Sequence, residues 1–164
     1  MYITLEEYSQ LYDEIDEKSF NRLCFDACRV MDIHTTGIDN VKKLKRFPPT
    51  NEDDAMAVKH CAAKIISLLL QIQQAETSVA EARGYESTEM GMRGKVISSV
   101  TAGNESISYA TGNTSATAID TAVKDKTARD KLLAETVREY LSGVQDANGV
   151  NLLFMGMYPR RYLC

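Results

Sequence analysis

From Thr50 to Ala82 the chain repeats apolar residues at alternating spacings of three and four: Ala55, Val58, Ala62, Ile65, Leu69, Ile72 and, past a break at Glu76, Val79. That period matches the α-helical turn, so these side chains share one stripe that faces a core. Cys61, Ile66, Leu68 and Leu70 fill the flanks, which predicts a helix covered by neighbours on most of its circumference in the middle. Thr50 with Asp53 three residues on, just after Pro48-Pro49, has the spacing of a capping box, and Gly84 supplies the stop. At about 1.5 Å per residue the helix runs for about 50 Å. The rest of the chain is expected to be organised around it.

The same reasoning locates its neighbours. Thr4 with Glu7 is a second capping box, and Leu5, Tyr8, Leu11 and Tyr12 then share a face, predicting a short lid helix that runs to about Tyr12. After the polar turn Asp13 to Asp16, the residues Phe20, Leu23, Cys24, Ala27, Cys28 and Met31 fall on one face of a second helix, with Arg22, Asp26, Arg29 and Asp32 on its solvated side. Thr35-Thr36-Gly37 ends it, glycine tolerating the left-handed conformation that closes helices. Val41 to Phe47 carries Lys42, Lys43, Lys45 and Arg46, and reads as a short solvated helix or as a local contact for DNA or an acidic partner. Near the end of the chain, Leu132, Leu133, Val137, Tyr140, Leu141 and Val144 form an amphipathic last helix that Thr127 and Asp130 are placed to cap. Ile119 to Val123 gives a weaker helical signal. The expected core joins Phe20, Leu23, Cys24, Ala27 and Met31 to Val58, Ala62, Ile65 and Leu69, with Leu133, Val137 and Leu141 completing it.

Between these helices the pattern changes. Beyond Gly84 come Gly91, Gly94, Gly103 and Gly112 with many Ser and Thr. The runs 95–101 and 105–110, separated by Ala102-Gly103-Asn104, predict a β-hairpin whose apolar positions are Val96, Ile97, Val100, Ile107 and Tyr109. An isolated hairpin is barely stable in water, so this one is a candidate assembly element that gains order by pairing. After the last helix, Leu152, Leu153, Phe154, Met155 and Met157 make an apolar segment that continues through Tyr158, Arg160, Arg161 and Tyr162. Apolar side chains left in water invite association, and Tyr and Arg are enriched where interfaces concentrate their binding energy. The segment either docks a partner or folds back over the protomer's own last helix. The pattern therefore predicts a mainly α fold: a helical bundle around one long central helix, a small β-hairpin insertion and an extended C-terminal segment. It is one domain over 1–164, with the helical core at about 1–83 and 115–144, the hairpin at about 95–110 and the docking tail at about 150–164.

Composition narrows the functional classes. The chain is 44% hydrophobic and 26% charged, as is usual for a globular domain, and its net charge of -4 argues against a general phosphate-binding surface. The longest apolar run, Ile65 to Leu70, is far short of the roughly 20 residues of a membrane span. The acidic opening Met1 to Glu7 does not read as a secretory signal, so the protein is expected to be intracellular when made, with Cys24, Cys28, Cys61 and Cys164 as free thiols.

No catalytic grouping stands out. His34 and His60 are the only histidines, and neither lies near a Ser or Cys nucleophile placed by a local motif. His60 and Cys61 point about 100° apart on a helix, which suits a surface histidine beside a core cysteine better than two ligands of one metal. Cys24 and Cys28, one turn apart, have the spacing to grip a soft metal, yet they share a stripe with Phe20, Leu23, Ala27 and Met31 and read as small core residues. Gly91 to Lys95 lacks the spacing and the preceding strand of a phosphate-binding loop. The acidic pairs Glu6-Glu7 and Asp53-Asp54 are explained by helix starts. Neither an enzyme nor a metal or other cofactor is expected.

Taken in succession, these stretches resemble the head-tail connector (adaptor) proteins of long-tailed bacteriophages. The likeness runs through the opening Tyr2 to Tyr8, the helix from Phe20 to Asp32 and the long helix from Val58 to Ala75. It continues in the segment Ile97 to Ala110, the helix ending Val137-Arg138-Glu139-Tyr140-Leu141 and the tail Leu152 to Gly156. Two departures are a longer spacer from Gly112 to Lys126 and an end, Met157 to Cys164, rich in Arg and Tyr. The resemblance implies a structural virion protein made in the host bacterial cytoplasm, a siphophage adaptor sitting at the head-tail interface. It implies partners as well: copies of itself in a ring of about twelve, the portal protein, a tail-side connector or stopper protein, and DNA passing through the channel without sequence-specific binding. An acidic protomer suits such a channel, because weak or repulsive walls let DNA slide. The alternative is a small helical regulatory or DNA-binding module that uses the basic segment 42–46.

Overall fold

The structure, a computed structural model, describes the backbone of residues 1–82, 85–88, 91–94 and 117–159, and side chains of residues 1–78 and 117–159. It is mainly helical: α1 (Leu5–Ser9), α2 (Glu17–Thr35), α3 (Lys43–Arg46), α4 (Glu52–Ala82), α5 (Ala118–Lys124) and α6 (Lys126–Leu141). α4 is the long central element, and α2 and α6 both pack along it. Ile65, Ile66, Cys61 and Ala62 of α4 are buried among Phe20, Leu23, Cys24, Ala27 and Met31 of α2 and Leu133, Val137 and Leu141 of α6. Of the core residues expected from the pattern, Leu69 alone is only partly buried, packed against the rim of the cluster. The stretch Glu52–Ser78 is long and apolar enough to cross a membrane by length and composition, with half of its most apolar window buried. Packing against α2 and α6 accounts for that apolar content.

Caps set the helix limits. Thr4 and Glu7 form the expected capping box, but α1 closes at Ser9 rather than Tyr12, where Leu11 N donates to Tyr8 O, three residues back rather than four. Tyr8 and Tyr12 then stack, with ring centroids 5.5 Å apart, and Tyr8 meets Phe20 at 5.7 Å, which seats the lid on α2. Asp16 starts α2 by accepting from Ser19 N at 2.9 Å. α6 is capped by Asp125, which accepts from Thr127 N at 2.8 Å, and not by Thr127 itself. The weak signal before it is a helix in its own right, α5, opened by a capping box between Thr117 and Asp120.

Two corrections concern glycine and strand positions. Gly37 is not left-handed: the positive-φ glycines among the described residues are Gly143 and Gly149. Its reason is close approach, since a Cβ there would meet Gly156 O at 2.5 Å. Strands β1 (Tyr85–Thr88) and β2 (Gly91–Gly94) pair antiparallel just past α4, with Tyr85 opposite Gly94. This pair was not anticipated; the expected hairpin over 95–110, with Val96, Ile97, Val100, Ile107 and Tyr109, lies outside the described residues.

Candidate docking surface

After α6 the chain turns at Gly143 (φ 83°) and again at Gly149 (φ 75°), so that Leu152 N donates to Val144 O at 2.9 Å and Gln145 pairs with Asn151. The buried Asp146 organises this turn. Its Oδ1 accepts from Asn148 N at 2.8 Å and from Val150 N at 3.0 Å, and its Oδ2 accepts from the Tyr158 hydroxyl. One carboxylate thereby satisfies two backbone donors and fixes a side chain twelve residues on, which offsets much of the cost of burying its charge.

The segment is then pinned to the loop and helix that join α2 to α4. Lys43 is buried, and its ammonium donates to the carbonyls of Asn151, at 3.3 Å, and Phe154. Burial holds the Lys43 pKa below its ordinary value, an effect opposed by the nearby carboxylates of Asp146 and Asp39. Tyr158 N donates to Asp39 Oδ2 at 2.6 Å, and that hydrogen bond, with a further one from Val41 N, keeps the Asp39 carboxyl below the ordinary carboxylate range. The Tyr158 ring stacks on Phe47, with centroids 4.9 Å apart and planes 9° from parallel. Ile38 N donates to Met155 O at 3.1 Å, where the two stretches cross at Gly37 and Gly156.

No family model, curated protein or solved structure matches this chain.

The segment thus divides its apolar residues between two environments. Leu152 (0% exposed) and Tyr158 belong to the protomer's own interior, and Leu153 packs partly against it. As partner anchors, Leu152 and Tyr158 are already engaged, because the turn around Asp146 and the Lys43 clamp draw them inward. Phe154, Met155 and Met157 stay exposed, the last at 59%, and Ile38, at 77%, joins them through its hydrogen bond to Met155. Arg160, Arg161 and Tyr162 lie outside the described residues. The fold-back is onto α3 and the loop before it, not along the last helix.

The basic segment is largely committed as well. Lys43 is the clamp, Lys45 pairs with Asp32 at 2.6 Å, and the Arg46 guanidinium lies over the Phe47 ring at 5.3 Å. Lys42 and Lys45 edge a cleft of about 440 Å³ that also contains Arg29 and the exposed Phe25 and Ile33. Asp32, read from the sequence as solvated, accepts from the Tyr2 hydroxyl while holding Lys45. Among the described residues, no group of three or more His, Cys, Asp and Glu is placed to hold a metal ion.

Proposed function

We propose that this chain is a structural assembly protein of the head-tail connector kind, acting through contacts between copies of itself in a ring that joins the portal to the tail and lets DNA pass. One observation carries the reading: exposed Phe154, Met155 and Met157 sit on a segment that Lys43, Asp39 and Asp146 pin by hydrogen bonds, with exposed Ile38 beside them through its bond to Met155. Apolar side chains fixed in place but left in water lose little further entropy on association, which is what a preformed docking surface requires. The occupant we assign to this surface is a neighbouring copy. The resemblance adds the portal, a tail-side stopper and passing DNA as the wider partners, and the virion as the place of action. Residues 95–110, with Val96, Ile97, Val100, Ile107 and Tyr109, are proposed as a second assembly element, a hairpin ordered by pairing between subunits.

A DNA-binding module built on 42–46 is the weaker reading, because Lys43 spends its charge inside the protomer and Lys45 on Asp32. The test is a pair of aspartate substitutions, Met155→Asp and Met157→Asp, which place charge in the surface and leave in place Phe154, whose ring lies 5.9 Å from the Lys43 ammonium. Both variants are expected to keep the thermal midpoint of the parent and to lose self-association. Variants that assemble like the parent would remove the surface from the account.

A further inference from the structure

Asn148 and Gly149 form the one Asn-Gly pair in the sequence, and they stand at the turn that leads from α6 into the C-terminal segment. Turn geometry accounts for the glycine: at φ 75° Gly149 is left-handed, and its N–H donates to Asp146 O at 2.9 Å. The Asn148 backbone is held by the buried carboxylate, its N–H donating to Asp146 Oδ1 at 2.8 Å. Its side chain is held as well. The Tyr158 hydroxyl gives its single proton to Asp146 Oδ2, so its oxygen is left to accept, and Asn148 Nδ2 donates to that oxygen at 3.0 Å. A chain of hydrogen bonds from Asn148 through Tyr158 to Asp146 therefore latches the turn to the segment beyond it.

Asparagine followed by glycine is the linkage most open to deamidation, because no side chain on the next residue shields the backbone nitrogen that attacks. We propose that Asn148 is a self-modification site, a deamidation switch that the Tyr158 latch restrains in the folded protomer and whose product loosens the C-terminal segment. The Gly149 nitrogen loses its proton to solvent and attacks Asn148 Cγ. The new N–Cγ bond closes a five-membered succinimide, and Nδ2 takes up a proton and leaves as ammonia. Water then adds to one of the two ring carbonyls and breaks its bond to nitrogen, giving aspartate or isoaspartate at that position. No oxidant or reductant takes part.

Two hydrogen bonds oppose the first step. The Gly149 N–H is engaged by Asp146 O and the leaving amide by the Tyr158 oxygen, so both must open before the ring can close. Conversion removes the latch. A carboxylate cannot donate, and the single Tyr158 proton cannot serve two carboxylates, so the new charge and that of the buried Asp146 repel each other across the hydroxyl. Isoaspartate also adds a methylene to the backbone of the turn. The hold of Asp146 on Tyr158 weakens, and with it the pinning of Phe154, Met155 and Met157, so a protomer that ages before it assembles loses its preformed surface. That last consequence rests on the docking reading above, whereas the chemistry and the loosening do not.

The test ages the full chain at mildly alkaline pH, folded and in urea, and follows its asparagines by peptide mapping that separates aspartate from isoaspartate. In urea Asn148 should convert before the others. In the folded chain its conversion should be at least about ten-fold slower, since both bonds must open first. Tyr158→Phe keeps a ring to stack on Phe47 and deletes the acceptor, and should speed the folded-state conversion about five-fold. Amide exchange on the converted chain, and on Asn148→Asp, should be faster at Leu152 and Tyr158 and unchanged at Ile65, a readout that needs no assembly. Should Tyr158→Phe fail to fold, the comparison of folded with urea-unfolded parent and the exchange of Asn148→Asp carry the test. A folded chain that converts as fast as in urea, a folded Tyr158→Phe variant that converts no faster than the parent, or a converted chain whose Tyr158 amide keeps its protection would each overturn the proposal.

Discussion

Replacing Lys43 by methionine isolates what a buried ammonium does for the C-terminal segment. The substitution keeps an unbranched apolar stem of similar length in the same space and deletes the charged head. Two hydrogen bonds to carbonyls go with it, those to Asn151 O and Phe154 O. Asn151 O keeps a second donor, Phe154 N at 3.1 Å, so the heavier loss falls on Phe154 O. Hydrogen bonds to charged groups contribute about 1.5–3 kcal/mol each, and relief from burying the ammonium returns part of that. A net destabilisation of about 1–3 kcal/mol is expected. Urea unfolding of the monomer measures it, and amide exchange locates it: Leu152, Phe154 and Tyr158 should lose protection while Ile65 and Ile66 of α4 keep theirs. If Lys43→Met is as stable as the parent and the amides from 152 to 158 stay protected, the lysine does not clamp the segment, and its rigidity has another source.

Further outcomes follow from the same contacts. Ile65→Ala, at a fully buried position of α4, should cost about 2–5 kcal/mol, and Leu69→Ala, at the partly buried rim, should fall below it, as chemical denaturation will report. Removing residues 151 onward should lower the thermal midpoint, because Leu152 and Tyr158 leave the core with it; an unchanged midpoint would show that the segment adds nothing to the protomer. The Asp39 carboxyl has a folded pKa below its ordinary value of 3.8, so its contribution is fully present above that value and is lost as pH falls through the lower folded one. Exchange of the Tyr158 amide should accelerate in that acid window, and Asp39→Asn should abolish the acid dependence while weakening the contact at neutral pH.

The sequence pattern made α2, α4 and α6 legible because each buries one face, and burial writes its period into the residues: Phe20, Leu23, Cys24, Ala27 and Met31 are all enclosed. Capping chemistry is equally local, and the Thr4–Glu7 box stands where its spacing put it. What was hidden depends on pairs far apart in the chain. Lys43 donates to Phe154 across 111 residues, and nothing near Lys43 separates a buried clamp from the solvated lysines beside it. Gly37 showed a similar limit, since a helix stop and a chain crossing both call for glycine. The apolar segment at 152–158 was visible as an oddity, but its division into inward Leu152 and Tyr158 and outward Phe154, Met155 and Met157 depends on the turn that Asp146 holds.

Assembly is the claim on which the functional reading turns, and the native mass of the full chain tests it most directly. Sedimentation velocity over a concentration series, alone and with portal-bearing heads, should show species several-fold heavier than the 18.3 kDa protomer or co-sedimentation with the heads, and Met157→Asp should abolish both. A chain that stays at protomer mass throughout and leaves the heads unbound, or a Met157→Asp variant that assembles like the parent, would contradict the account.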